Sequence, residues 1–138
     1  MAEELKLTAH QMLRVLGSGP GELELESTWW PGGRHPRTHW HPTQSEQFEV
    51  LEGALTVELA GGPPRVLGPG ETLLVPPRTA HRMWNASAGV TRASWRVTPA
   101  QQTEEMFRTV AGGLNPVTAV VLLWKYRREM RLGRPRRA

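Results

Sequence analysis

Residues 33–53 read GRHPRTHWHPTQSEQFEVLEG. Within this run Glu46, Phe48 and Val50 alternate with Gln47, Glu49 and Leu51, the period of a strand with one buried face. If Phe48 and Val50 point into a core, Glu46 points there too. Five residues upstream, His39 and His41 stand two apart, so on a strand both rings share a face. Gly33 and Gly53 bracket the run as turn positions.

On either side the same grammar continues. Leu23 and Leu25 alternate with Glu22, Glu24 and Glu26; Leu55, Val57 and Leu59 alternate with Thr56 and Glu58; Ala93, Trp95 and Val97 alternate with Arg92, Ser94 and Arg96. Between them stand Pro31-Gly32-Gly33, Gly61-Gly62-Pro63-Pro64, Gly68-Pro69-Gly70 and Pro76-Pro77. Short strands separated by such breakers indicate a sandwich or barrel. Residues 2–16 carry a weak helical pattern (Leu5, Met12, Val15, Leu16) and predict an N-terminal helix ending at Gly17. After Pro99 the period lengthens again. Met106, Phe107 and Val110 share a helical face closed by Gly112-Gly113, and Asn115-Pro116 opens a second helix expected to run to Leu132. Its first half is apolar nearly all round, which predicts burial against the barrel or a partner chain.

With 138 residues and 38% hydrophobic residues, the chain suits one domain. No Cys is present, which excludes disulfides, thiolate metal sites and a cysteine nucleophile. Any metal must be held by imidazole and carboxylate. His39, His41, Glu46 and His81 form such a set, with His81 sharing the parity of Met83. Three imidazoles and one carboxylate suit a borderline divalent cation such as Fe, Mn, Ni, Cu or Zn. The plain alternative is a set of satisfied polar pairs inside a barrel. Phe48, Met83 and Trp95 have the parity to line the same interior, as pocket walls or as ordinary core.

The spacing resembles that of a known family. Gly33, His39, His41, Glu46 and Gly53 match the first signature of the cupin superfamily in residue type and interval. Gly70, Pro76, His81 and Asn85 match the second, with Arg78 standing where the family usually has Gly. The resemblance covers about residues 21–98 and is greatest to small single-domain cupins with a C-terminal helical extension. It implies an all-β jelly-roll β-barrel with flanking C-terminal helices and one divalent transition metal held by His39, His41, Glu46 and His81. It also implies an organisation into an N-terminal segment (1–20), barrel (21–98), helical extension (99–132) and basic tail (133–138). Arg78 either reaches the barrel mouth to meet an anionic substrate or stays a solvated turn residue. His35 is either an acid or base near that mouth or an exposed loop residue, Trp29 or Trp30 is a candidate to lean over the entrance, and Trp40 is expected to point outward and be covered by a helix or a second subunit.

The function that follows is that of a metal-binding cupin acting as a dioxygenase-like oxidoreductase on a small organic substrate, with Glu46 also available as a base. Metal-dependent isomerase or lyase chemistry, and a non-catalytic ligand-binding or sensing module, stand beside it. The net charge of +4 is local. Residues 125–138 hold seven of the 17 basic residues and one of the 13 acidic ones, leaving ten basic against twelve acidic elsewhere. Arg127, Arg128 and Arg131 are expected at a helix C-terminus, where the helix dipole favours them, and Arg134, Arg136 and Arg137 in a solvated tail. A nucleic-acid partner is therefore not expected. The longest apolar run, Ala119–Trp124, is far below the ~20 residues of a membrane span, and no signal-peptide pattern precedes the fold. The expectation is a cytoplasmic protein with no membrane partner, assembled as a homodimer.

Overall fold

Alternation sets the architecture. In the computed structural model, which describes residues 3–136, Glu46, Phe48 and Val50 are buried along one face of a strand whose Gln47, Glu49 and Leu51 are exposed. The strands are β1 (Glu3–Thr8), β2 (Gln11–Gly17), β3 (Leu23–Trp29), β4 (His39–Trp40), β5 (Ser45–Glu52), β6 (Leu55–Leu59), β7 (Arg65–Leu67), β8 (Thr72–Val75), β9 (His81–Trp84) and β10 (Thr91–Thr98). Helices α1 (Thr103–Ala111) and α2 (Pro116–Lys125) follow, and then a two-residue strand β11 (Arg131–Leu132). One sheet has the order β1-β2-β3-β10-β5-β8 and the other β11-β4-β9-β6-β7, with antiparallel pairing throughout. Two antiparallel sheets packed face to face make the expected jelly roll.

Register places the functional positions. Directly paired residues share a face, so Leu23, Val97, Glu46 and Val75 form one row across the larger sheet. Leu25, Trp95, Phe48 and Leu73 form the next. On the facing sheet Leu132, His39, His81 and Leu59 make a row of their own. The core has two parts. Phe48, Val50, Leu55, Val57, Leu73 and Val75 fill the barrel, while Leu5, Leu13, Leu23, Leu25, Met106, Phe107 and Tyr126 join the N-terminal strands to the helices. Gly53 closes the β5–β6 turn at φ +82°, and a Cβ there would lie 2.4 Å from the Val90 carbonyl oxygen, so only glycine fits.

Three local expectations are corrected. The predicted N-terminal helix is the hairpin β1–β2, paired onto β3. Leu5 and Leu13 are its buried positions, and Lys6 and Arg14 beside them are exposed, so the operative period is two. Pairing with a waiting sheet edge overrode a weak helical pattern. The second helix begins as expected, with a capping box between Asn115 and Thr118, but ends at Lys125 rather than Leu132. There the chain turns so that Tyr126 is buried and β11 can cover the open edge of β4. Nor is α2 buried: Leu122 is its one buried residue, while Val117 is 72% and Trp124 68% exposed.

The Arg-rich end also differs from a free tail following a helix. Arg131 Nε donates to the Arg127 carbonyl, and the Arg131 guanidinium lies over Trp40. Gly133 N–H donates to the Thr38 carbonyl, and the Arg136 carbonyl accepts from Arg78. Trp40 does point away from the site, yet its cover is this chain's own C-terminal segment. Arg137 lies outside the described residues.

Candidate metal centre

The centre is assembled from three strands. β4 and the residue after it supply His39 and His41, β5 supplies Glu46 and β9 supplies His81, and their ligand atoms all lie within 4.8 Å of one another. His41, Glu46 and His81 are buried, and His39 is partly so. Glu46 Oε1 is 2.7 Å from His41 Nε2 and 2.9 Å from His81 Nε2.

The outer ring nitrogens determine what this crowd can do. His39 Nδ1 faces the Arg37 carbonyl at 3.2 Å, His41 Nδ1 the Glu129 carbonyl at 2.7 Å, and His81 Nδ1 the Thr79 carbonyl at 2.9 Å. A carbonyl oxygen only accepts, so each Nδ1 carries the proton and donates it. In the neutral ring Nε2 is then a lone pair turned inward. His41 Nε2 and Glu46 Oε1 have no hydrogen-bond partner despite their closeness. Buried lone pairs at that separation repel unless a cation lies among them. Tautomers fixed from behind by carbonyls, with lone pairs and one carboxylate in front, fit a divalent transition metal.

Electrostatics agree at His39, whereas the shifts of His41 and Glu46 are those of the pair with no cation between them. Burial, helped by the neighbouring His81, pushes the His39 pKa down to about 4, so its ring is neutral at pH 7. Burial also acts to lower the His41 pKa, but the Glu46 carboxylate and the Glu129 carbonyl outweigh it and raise the value. Glu46 suffers the same burial penalty. Its contacts with His41 and His81 overcome that penalty and hold it well below the usual carboxylate range. Its second oxygen, Oε2, accepts a 2.7 Å hydrogen bond from Trp95 Nε1.

A chamber of about 160 Å³ opens beside the four side chains. Phe48, Met83 and Trp95 line it as their parity suggested, joined by Trp29, Met106, Phe107 and Met130. Arg78 does not line it. Its guanidinium rests over Trp40 on the outside and donates to the Arg136 carbonyl. The Arg78 backbone has φ +61°, which accounts for glycine being usual at this turn, and its N–H donates to the His41 carbonyl. His35 stacks on Trp84 at 4.3 Å in an outer vestibule, where Trp30 is a wall.

Several contributors had no legible signal. Glu129 acts on His41 through its backbone carbonyl, which any residue could supply. Its side chain is buried with Oε2 unpartnered, and burial raises its pKa. Met130 and Leu7 reach the chamber from segments that sequence reasoning placed in helices.

The sequence profile of the cupin domain matches residues 25–96. The chain belongs to the cupin family. Over 50 residues, 36% of its length, this cupin is 50% identical to the probable oxidoreductase yanE of Aspergillus niger, and the match spans 19% of that protein. Among solved structures it is similar to KdgF from Halomonas sp. (TM-score 0.66, 19% identity, covering 74% of this chain and 90% of that one). An RmlC-like cupin from Shewanella frigidimarina aligns comparably (TM-score 0.66, 20% identity, 75% and 88%). A cupin-superfamily sugar phosphate isomerase from Silicibacter pomeroyi follows (TM-score 0.60, 21% identity, 67% and 61%). At these identities the structural likeness is one of fold, and a shared fold does not transfer an activity.

Proposed function

We propose that this cupin is a metal-dependent oxidoreductase of the dioxygenase-like kind, acting on a small organic substrate with one divalent transition metal held by His39, His41, Glu46 and His81. The observation that carries the reading is the common orientation of the three imidazoles, each tied at Nδ1 to a backbone carbonyl with Nε2 turned toward Glu46. The similarity of 50 residues to a protein named a probable oxidoreductase supports the redox class.

The metal, when bound, supplies Lewis acidity and one-electron chemistry at positions the protein leaves open. The chain's own residues set the conditions. Neutral His39 and anionic Glu46 give the ligand set less negative charge than the cation's positive charge. Apolar walls of Phe48, Trp95 and Phe107 exclude water and strengthen every charge interaction inside. Glu46 holds its charge between two imidazoles and the Trp95 N–H, contacts that stabilise the anion and so lower its basicity.

The test is metal analysis of the purified protein, then anaerobic loading with Fe, Mn, Ni, Cu or Zn and oxygen-uptake measurements against a panel of small acids, alcohols and sugars. About one metal per chain, largely lost in His41→Ala, and substrate-dependent oxygen uptake with one loaded metal are expected. Ligand binding without turnover under any metal favours the sensing module. Stoichiometric metal in both His41→Ala and His81→Ala overturns the ligand assignment.

A further inference from the structure

We infer that the ligand is a small aryl carboxylic acid, seated with its ring in the inner chamber and its carboxylate outward against Arg34; this assignment rests on the metal-site reading for its chemistry, though not for its fit. The chamber comes first. A volume of about 160 Å³ is close to the ~150 Å³ of an apolar cavity that admits benzene. Its size suits one aromatic ring.

The walls favour a ring over a sugar. Phe48 and Trp95 stack at 5.2 Å, and Trp95 meets Phe107 at 5.3 Å, giving a continuous aromatic surface. The polar groups are few. The Trp95 N–H is occupied by Glu46, and the Gln11 amide nitrogen donates to Ser27 Oγ. Beyond the four ligand side chains, Gln11 and the two indoles are the polar-atom-bearing side chains of the lining among the described residues. A polyol would bury several hydroxyls without partners, and each such burial is unfavourable.

The vestibule then selects charge. It holds about 470 Å³ and shares the walls Gln11, Trp29, Pro36 and Met83 with the chamber, so the two adjoin. No acidic residue lines it among the described residues, whereas Arg34, His10 and His35 do. Arg34 is exposed and makes no ion pair among the described residues. A guanidinium without an ion-pair partner, at the rim of this vestibule beside Trp29, Trp30 and Trp84, offers a forked donor pair to a carboxylate.

The experiment uses full-length protein, Zn-loaded and metal-free in parallel, with binding followed by calorimetry and tryptophan fluorescence. The probes are phenylacetate, 3-phenylpropanoate, benzyl alcohol and glucose 6-phosphate. The aryl acids should bind at least ten-fold more tightly than glucose 6-phosphate. Arg34→Ala should weaken the aryl acids five-fold or more and leave benzyl alcohol within two-fold, which separates charge recognition from damage to the fold. Preference for the sugar phosphate, no binding by either aryl acid, or equal effects of Arg34→Ala on acid and alcohol each overturn the inference. Arg34-dependent binding in the metal-free arm, alongside failure to load Zn, would sustain the ligand class while removing the metal reading, so the two failures are told apart.

Discussion

Ending the chain at Arg128 should weaken metal binding about ten-fold without unfolding the barrel. The truncation removes the Glu129 carbonyl, which accepts from His41 Nδ1 at 2.7 Å, together with Met130, the β11–β4 pairing and the Gly133-to-Thr38 hydrogen bond. A buried donor left without its acceptor costs about 1–3 kcal/mol. Cutting the chain here also admits water to His41, so the lower half of that range applies. At about 1.4 kcal/mol per tenfold, the expected loss sits at the low end of the ~10–100-fold seen when a ligating histidine loses its outer hydrogen bond. The assay is a Zn titration against a fluorescent chelator, with the melting temperature of the metal-free protein as the check on folding. A companion truncation after Leu132 keeps Glu129, Met130 and β11 and should bind Zn within about two-fold of the full chain. Undiminished affinity in the shorter protein would refute the claim that the C-terminal segment positions His41. Equal losses in both truncations would locate the effect beyond Leu132 and refute it as well.

Trp95→Phe keeps an aromatic ring but removes the pyrrole portion and with it the donor to Glu46 Oε2, leaving a buried carboxylate oxygen unpaired. Urea unfolding should show a loss of about 1.5–3 kcal/mol, the range for hydrogen bonds to charged groups, and an unchanged midpoint would count against the contact. The metal-free protein should lose stability as pH falls from 6.5 to 4. His39 has a folded pKa of about 4 against 6.5 unfolded, so the unfolded state binds more protons in that window, and the contribution is complete above pH 6.5. It has a ceiling of about 3 kcal/mol at 1.36 kcal/mol per pH unit, reduced by the partial exposure of His39. His41, with a raised pKa, works oppositely: its contribution is present below pH 6.5 and is lost as pH rises through its folded value. His39→Gln should therefore flatten the acid limb of a melting-temperature profile, and an unaltered slope would remove His39 from the account. Finally, α2 exposes Val117, Val120, Val121 and Trp124 together, and a homodimer through this face is the expected arrangement. Light scattering should give twice 15.4 kDa, falling to the monomer in Val117→Lys/Val120→Glu, whereas a wild-type monomer at micromolar concentration would contradict it.

The candidate ligand set was legible in two ways: local periodicity for His39, His41 and Glu46, and the cupin spacing for His81. Glu46, Phe48 and Val50 alternate in plain view, and His39 and His41 sit at the one interval that keeps two strand residues on a face. The N-terminal hairpin was not legible. Residues 11–17 mix Met, Leu and Val with one Arg, so strand and helix readings compete, and the deciding partner is β3 in the folded barrel. β11 escaped for a different reason: two residues carry no period, and their pairing with β4 depends on where the chain turns after Tyr126. The Trp40 side chain was read correctly as facing outward, yet nothing local to it could say that Arg131 from ninety residues away would cover it. Backbone carbonyls such as that of Glu129 leave no mark in a sequence at all.

Three of the chamber's walls are thioethers, Met83, Met106 and Met130, drawn from a strand, a helix and the C-terminal segment. Methionine is unbranched and turns about several bonds, so a pocket built this way reshapes around what enters it more readily than one walled by Leu or Ile. It is also the apolar side chain most easily converted to a polar one. Sulfoxide formation at any of the three would put a strong acceptor into a surface otherwise lined by rings and hydrocarbon. A protein that handles oxidants in this space would thus keep a chemical record of its own use. Peptides carrying these methionines would gain one oxygen in mass, and the chamber would lose its preference for apolar guests as the record accumulated.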